Sequence, residues 1–223
     1  MQLCLALDLA SKAENLSLLQ KLKDCPIWVK VGLRSFIRDE KKFLEEIKAI
    51  NPNFKIFLDL KLYDIPNTMK TATQECKNLG VDMITIHASS GIEAMSEVMS
   101  VAKDSLLVFA VTALTSFDDE GFIPIYNAPI KSHAKTLALL AQKGNCHGVV
   151  CSPHESLEIK NSTSLLTLTP GIRFAENEYG DQKRIATPKV AKEAKADFIV
   201  VGRPIYTHHD PLQATLRFLE EIQ

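Results

Sequence analysis

The chain has 223 residues, 46% of them hydrophobic and 24% charged, with a formal net charge of −1. A chain this close to neutrality, without runs of like charge, lacks the basic surface typical of nucleic-acid binding, so we expect no nucleic-acid partner. No apolar stretch reaches the roughly 18 residues of a membrane-spanning helix, and the first residues do not resemble a signal peptide. Without such a stretch we also expect no membrane partner. The five cysteines include no Cys-x-x-Cys pair, which favours reduced thiols, a cytoplasmic location and no metal site.

Short apolar runs alternate with helical patterns along the whole chain. The predicted strands cover residues 3–7, 27–31, 56–60, 83–86, 106–111, 148–151, 165–168 and 198–201. The predicted helices cover residues 12–22, 36–50, 69–79, 92–102, 132–143, 154–159, 189–194 and 211–222. Strands that are apolar on both faces and separated by helices are typical of parallel sheets. Eight such units, without a Gly-x-Gly-x-x-Gly fingerprint, predict an α/β fold in which residues 1–223 form a single-domain (β/α)8 TIM barrel with parallel strands.

The segment 56–68 combines an apolar strand pattern with three charged residues. Asp59 and Lys61 are two positions apart, so on a regular strand their side chains share a face, and Asp64 follows just past the strand end. Charged groups are rarely buried unless they are paired, so this pattern indicates a polar pocket. An ammonium near carboxylates keeps its proton and can deliver it to a developing carbanion. The alternative is a salt-bridged strand end without a catalytic role.

Polar residues or glycines follow nearly every predicted strand, where the chemistry of a (β/α)8 barrel takes place. Taken singly, each could be a solvated loop residue or a helix cap. They are Asp8, Lys30, Asp59 with Lys61, His87, Thr112 with Thr115, Ser152, Gly171 with Arg173, and Gly202 with Arg203.

The last two strand exits carry a phosphate-binding pattern. Barrel enzymes often bind phosphate with the loops after strands seven and eight, near a short helix. Gly202 permits close approach of the backbone to a ligand, and the Arg203 guanidinium matches phosphate oxygens. The long polar segment 174–188 between these strands is typical of a mobile lid.

Five motifs in this order resemble the orotidine 5′-monophosphate decarboxylase family, and the likeness extends over residues 5–211. They are Leu-Asp-Leu-Lys-Leu-Tyr-Asp-Ile-Pro-Asn-Thr, Val-Thr-Ala-Leu-Thr-Ser, Thr-Pro-Gly-Ile-Arg, Gly-Asp-Gln-Lys-Arg and Val-Gly-Arg-Pro-Ile. The resemblance implies a homodimeric barrel that converts orotidine 5′-monophosphate (OMP) to UMP and CO₂, the last step of de novo UMP biosynthesis, without metal or organic cofactor. The stretch after Gly32, Leu-Arg-Ser-Phe-Ile-Arg-Asp, departs from the usual family pattern, which bears on packing near the ribose.

The resemblance also assigns the catalytic groups. It makes Lys61 the proton donor and places Asp59 beside the departing carboxylate. Lys30 and Asp64 complete a network of alternating charges. Asp64 and Thr68 are expected to reach the site of the neighbouring subunit.

The remaining residues that the resemblance implies contact the substrate. Asp8 and Lys30 hold ribose hydroxyls, and Thr115 and Ser116 lie on the pyrimidine side. Ile65 and Pro170 are further substrate contacts. The phosphate region consists of Arg173, Gln182, Gly202 and Arg203.

Two other functions remain open at this stage. One is a Mg²⁺-dependent sugar-phosphate decarboxylase or synthase on the same scaffold, in which a carboxylate of the Asp-x-Lys-x-x-Asp strand would hold the metal. The other is a non-catalytic binder of nucleotide phosphates. The histidines do not decide between them. His87 could line the pocket or be structural, and the others show no ligand spacing: His133, His147, His154, His208 and His209.

Overall fold

The computed structural model describes residues 1–175 and 184–223 and has a closed barrel of eight parallel strands. Each strand pairs with the next in sequence, and the eighth pairs with the first. The predicted barrel is therefore confirmed. The strands are β1 (Gln2–Ala6), β2 (Trp28–Gly32), β3 (Lys55–Leu62), β4 (Met83–His87), β5 (Leu107–Val111), β6 (Gly148–Val150), β7 (Leu166–Thr169) and β8 (Phe198–Val201).

Helices follow the strands and cover the outside of the barrel. All eight predicted helices are present, with ends that differ by at most a few residues from those expected. The helices of the described residues are α1 (Lys12–Lys21), α2 (Leu33–Ile50), α3 (Pro66–Asn78), α4 (Gly91–Ala102), α5 (Asp119–Tyr126), α6 (Ile130–Lys143), α7 (Pro153–Ser162), α8 (Pro188–Glu193), α9 (Arg203–Tyr206) and α10 (Pro211–Ile222).

Two of these helices were not predicted from the sequence. Helix α5 contains Pro124 in its interior and Gly121 in its first turn, and both residue types oppose a helix on propensity alone. Tertiary packing overrides that preference, because Phe122 is buried against Ile130 and Ala113. Helix α9 has a single turn, which is too short to produce a periodic pattern.

Two apolar layers hold the barrel together. Alternate strand residues such as Leu3 and Leu5 face the helices in the larger cluster, whereas Cys4 and Ala6 face the barrel interior. Inside, the rings of Phe109 and Phe198 meet edge to face at a centroid distance of 5.5 Å. Polar strand residues lie above this apolar plug, at the C-terminal ends of the strands. The space in which a reaction could take place therefore lies at the C-terminal end of the barrel.

No helix among residues 1–175 and 184–223 has the length and apolar character needed to cross a bilayer.

We predict that Gly148→Ala destabilises the barrel severely. An added Cβ would lie 2.5 Å from Phe109 Cε1 and 2.6 Å from the Leu166 carbonyl oxygen, and overpacking of this kind costs roughly 1–3 kcal/mol or more. The midpoint of denaturant unfolding measures the loss. Gly121→Ala is the control, since its Cβ would meet its nearest neighbour at 3.5 Å and should leave the midpoint unchanged or raised. Equal midpoints for Gly148→Ala and the unmodified chain would contradict this account of the packing.

Candidate active site

The C-terminal ends of the strands surround a cavity of about 570 Å³. Most of the residues predicted from the strand exits line it, together with the predicted substrate contact Pro170, although they are distant in sequence. Those lining the cavity are Asp8, Lys30, Asp59, Lys61, Thr115, Pro170, Gly171, Arg173, Gly202 and Arg203.

A chain of alternating charges occupies the floor of this cavity. The Lys61 ammonium donates to both carboxylate oxygens of Asp59, at 2.8 Å each. On the other side, Lys30 Nζ lies 3.5 Å from Asp59 Oδ2 and 3.7 Å from Asp8 Oδ2. The order Asp8, Lys30, Asp59, Lys61 therefore places one carboxylate between two ammonium groups.

Because Asp59 and Lys30 are largely buried, the charges around them determine their pKa values. Desolvation alone would raise the pKa of Asp59, but the ammonium groups of Lys30 and Lys61 outweigh it and hold that pKa below 3.8. Desolvation would likewise lower the pKa of Lys30, and the carboxylates of Asp59 and Asp8 raise it above 10.5 instead. The stabilisation that Asp59 and Lys30 give each other is therefore fully present between pH 3.8 and pH 10.5, the ordinary pKa values of the two groups. It is lost as pH falls through the folded-state pKa of Asp59 or rises through that of Lys30.

The backbone of β3 departs from regular strand geometry where these charges lie. Leu58 pairs with Ile84 and Leu62 with Ile86, so four residue steps on β3 match two steps on β4. Lys61, inside this bulge, has φ +53°, a left-handed conformation that is strained for a residue with a Cβ. The prediction that Asp59 and Lys61 share a face by simple alternation is thus wrong in its reason. Both side chains do enter the cavity, but the bulge directs Lys61 there.

Thr85 on β4 lies opposite this bulge and was not singled out from the sequence. Its hydroxyl donates to Asp59 Oδ1 at 2.8 Å and accepts a hydrogen bond from the backbone N–H of Lys61 at 3.0 Å. Threonine is common in strands, and only the three-dimensional register reveals that this one contacts the charged network.

Three residues assigned from the first turn after β3 lie outside the cavity of their own chain. Asp64, Ile65 and Thr68 are exposed, and Asp64 Oδ1 accepts from the backbone N–H of Ile65 at 2.7 Å. In the described part of the chain no ion pair joins Asp64 to Lys61, so the expectation of a second carboxylate beside that ammonium is not met within one chain. The chain turns outward at Tyr63, which is 63% exposed.

The predicted phosphate residues lie on the opposite side of the cavity from α3. Arg173 is buried, and its backbone N–H donates to the Ala186 carbonyl at 3.0 Å. Gly202 leaves little room for a side chain, because an added Cβ would lie 3.3 Å from Tyr206 Cε1. Arg203 is exposed where α9 begins. Gln182 and residues 176–183 of the predicted lid lie outside the described residues.

The loop after β5 is hydrogen-bonded to Arg184, the first residue that the structure describes after residue 175. Thr115 lines the cavity, whereas Ser116 is exposed and does not. Arg184 donates to the carbonyls of Ala113 and Leu114 at 3.1 Å each and forms a partly buried ion pair with Glu155 of α7. Sequence reasoning gave Arg184 and Glu155 no role.

The segment that departs from the usual family pattern supports the loop that carries Asp8. Arg34 lines the cavity and donates to the Leu9 carbonyl at 2.8 Å. The buried hydroxyl of Ser35 donates to the Leu7 carbonyl at 2.8 Å, and Arg38 donates to the Ala10 carbonyl at 2.5 Å. The residues on both sides of Asp8 are therefore fixed by side chains of α2.

Some polar residues at the strand exits are structural. The Thr112 hydroxyl donates to the Val150 carbonyl at 2.9 Å, and Ser152 Oγ caps α7. His87 contacts the Tyr63 ring at a centroid distance of 5.6 Å and does not line the cavity. Burial and the Lys61 charge lower the pKa of His87. Ser152 is therefore the helix cap that the sequence allowed, whereas Thr112 is buried and is neither a solvated loop residue nor a cap.

No cluster of three or more metal-ligating side chains was found in a search restricted to the described ranges, residues 1–175 and 184–223. All five cysteines are buried free thiols, as predicted. Burial raises the pKa of Cys76 to about 11 and that of Cys146 to about 12, so these thiols are unreactive near neutral pH.

Comparison with known proteins gives a consistent result over the full length of the chain. The model of the family described as "Orotidine 5'-phosphate decarboxylase / HUMPS family" matches residues 1–218. Proteins named orotidine 5′-phosphate decarboxylase from Wolinella succinogenes and Helicobacter pylori are 55% and 52% identical. The alignments cover 100% and 99% of this chain and 100% of each relative.

A solved structure shares the same architecture. The crystal structure of orotidine 5′-phosphate decarboxylase from Lactobacillus acidophilus superposes with a TM-score of 0.86 at 31% identity, covering 100% of this chain and 99% of that one. The barrel, the charged cavity and these matches together lead to one conclusion: this chain belongs to the orotidine 5′-phosphate decarboxylase / HUMPS family.

Proposed function

We propose that this chain, as one catalytic domain, is a carboxy-lyase that converts OMP to UMP and CO₂ without a cofactor, in the last step of de novo UMP biosynthesis. The observation that carries the proposal is the Lys61 ammonium, bonded to both oxygens of Asp59 at the floor of the barrel cavity. Nothing in simple ligand binding requires a paired ammonium and carboxylate at that depth, whereas protonation of a carbanion does.

The charged floor suits the chemistry of this reaction. Cleavage of the bond between C6 of the pyrimidine ring of OMP and its carboxylate releases CO₂ and leaves the bonding electron pair on C6. The ring offers no obvious sink for that pair, so the barrier without a catalyst is very high. Lys61 stabilises the developing charge and then transfers a proton from Nζ to C6, which forms the C–H bond of UMP. The neutral amine regains its proton from solvent.

Preorganisation is the main contribution expected from Lys30 and Asp59. Because the two are paired before substrate arrives, with Lys30 Nζ 3.5 Å from Asp59 Oδ2, their dipoles need not reorganise as charge develops on C6. Electrostatic stress between Asp59 and the substrate carboxylate is a second contribution, which we rank below stabilisation of the carbanion.

The rest of the cavity supplies binding energy away from the reacting atom. We propose that Asp8 and Lys30 hold ribose hydroxyls, that Thr115 in the cavity and Ser116 beside it lie on the pyrimidine side, and that Pro170 is a further substrate contact. We propose that Arg173, Gln182, Gly202 and Arg203 contact the phosphate, and that this remote binding energy is available to stabilise the transition state at C6.

We propose a homodimer that shares its active sites. Five large apolar residues are exposed past the ends of the neighbouring strands β2, β3 and β4: Leu33, Ile37, Tyr63, Ile65 and Ile92. Isolated apolar residues on a surface are ordinary, but several that follow neighbouring strand ends are typical of an interface. Asp64 and Thr68 follow the same strand as Tyr63 and Ile65, are exposed and do not line their own cavity, so a partner subunit could receive them. Ile65 would contact substrate in the same way.

The relatives argue for this reaction over its main rival. The family description also names HUMPS proteins, so family membership alone does not select one reaction. The curated relatives at 52–56% identity carry the decarboxylase name, and this supports OMP as the substrate. Five free cysteines support the cytoplasm as the compartment.

A spectrophotometric assay of OMP loss in the presence of EDTA tests the proposed function. We expect full activity with the chelator, and a loss of at least roughly 10²–10⁴-fold in kcat for Lys61→Ala, because its proton donor is gone. UMP binding, measured by calorimetry, should survive in that variant and serves as the folding control. Strict dependence on Mg²⁺, or substantial kcat in Lys61→Ala, would overturn the proposal.

Arg203→Ala should lower kcat/KM for OMP by about 10- to 100-fold, because a charge-assisted contact to phosphate is worth roughly 1.5–3 kcal/mol. Steady-state kinetics measure the change. Lys131→Ala removes a cation that is 73% exposed on α6, far from the cavity, and should leave kcat/KM unaltered. If the two variants behave alike, Arg203 does not bind the phosphate.

Mixing inactive Lys61→Ala and Asp64→Ala chains should restore about a quarter of the normal activity, because half of a random mixture is heterodimer with one intact site. Native mass spectrometry confirms that heterodimers form. The control is a mixture of Lys61→Ala with the double variant Lys61→Ala/Asp64→Ala. It should restore no activity, because every site in it lacks Lys61. Confirmed heterodimers without activity would show that the sites are not shared.

A further inference from the structure

Thr85 occupies a position that no assigned role explains. It lies between Ile84 and Ile86 on β4, the two residues that flank the bulge of β3 in the strand pairing. Its neighbours on either side pack in the outer apolar layer, so the Thr85 side chain points toward the barrel interior. The residue is fully buried, at 0% exposure, directly beneath the charged floor of the cavity.

The hydrogen bonds of this hydroxyl have only one possible direction. A hydroxyl has a single proton to donate, and Asp59 Oδ1, 2.8 Å away, is an ionised acceptor without a proton of its own. The backbone N–H of Lys61, 3.0 Å away, can only donate. The order is therefore Lys61 N–H to Thr85 Oγ1, and Thr85 O–H to the Asp59 carboxylate.

We propose that Thr85 is a positioning residue for the decarboxylation, which holds the Asp59 carboxylate and the backbone of Lys61 in one geometry through its hydroxyl. The inference rests on the proposed function and adds a residue to its machinery. Thr85 does not touch the reacting atoms and acts through the two residues that do.

The strained conformation of Lys61 explains why such a support is needed. A residue with a Cβ at φ +53° is held there only when its surroundings make the alternatives worse. The bond from its N–H to Thr85 is one such restraint. Without it, the peptide can rotate and carry the ammonium away from the point where C6 must lie.

The same Thr85 hydroxyl also orients the carboxylate of Asp59. Oδ1 accepts from Lys61 Nζ and from Thr85, whereas Oδ2 accepts from Lys61 Nζ and faces Lys30 Nζ at 3.5 Å. Each oxygen thus has its own set of partners, and the plane of the carboxylate is fixed. Loss of the Thr85 hydroxyl leaves Oδ1 with Lys61 as its only remaining partner among the described residues.

Thr85→Val removes the hydroxyl and keeps the shape of the side chain. We expect kcat for OMP to fall ~10- to 100-fold, because small displacements of reacting groups have effects of this order. KM should change by less than about 3-fold, since the ribose and phosphate contacts are intact. Thr85→Ser keeps the hydroxyl and should restore kcat to within a few-fold of the unmodified chain. If Thr85→Val does not fold, Thr85→Ala replaces it, with kcat calculated per UMP-binding site.

The pH profile separates positioning from simple packing. Asp59 faces Lys30 on β2, Lys61 on β3, and both Thr85 and His87 on β4. Removing a donor to the ionised carboxylate disfavours that form. The acid limb of kcat against pH should therefore move to higher pH in Thr85→Val and stay in place in Thr85→Ser.

Thr167→Val is the matched control. This buried strand threonine shares a hydrogen bond of 2.8 Å with Ser156 on the helix side of the barrel, so its loss should leave kcat and the acid limb unchanged. A normal kcat and profile in Thr85→Val, or equal defects in Thr85→Val and Thr85→Ser, would overturn the inference. If the unmodified chain fails to decarboxylate OMP, the proposed function itself fails, which is a distinct result.

Discussion

The placement of one carboxylate between two ammonium groups is the interaction on which the site depends. Asp59 is bonded to Lys61 at 2.8 Å and faces Lys30 at 3.5 Å, and these charges outweigh the desolvation that would otherwise neutralise it. A buried charge with its partners removed costs several kcal/mol. Lys30 and Asp59 are largely buried, so each depends on the opposite charges around it to stay ionised, and the Lys61 ammonium supplies one of those charges.

The barrel makes such a unit possible by dividing its interior into two halves. Aromatic and aliphatic side chains such as Phe109 and Phe198 fill the half near the N-terminal ends of the strands, and the polar groups gather above them. The apolar half supplies stability without using the cavity. The polar half can then carry strain and charge that the rest of the fold compensates.

The sequence predicted the architecture and the centre of the site, but not the parts that depend on register. Eight alternating units sufficed for the barrel, and charged residues inside an apolar strand revealed Asp59 and Lys61. The bulge in β3 could not be predicted from the sequence, because it is visible only in the pairing of Leu58 and Leu62 with β4. Thr85, Arg34 and Arg184 were missed for a related reason: threonine suits any strand, and an arginine in a polar segment is usually solvated. Their contacts join segments that are distant in sequence.

The left-handed backbone at Lys61 has a consequence for how this protein can change. Glycine is the residue that adopts φ +53° without strain, so Lys61→Gly would relieve the local backbone while removing the side chain that enters the cavity. Two contributions to stability therefore oppose each other at this one position. A relaxed backbone favours glycine, whereas the ion pair with the largely buried Asp59 favours the lysine.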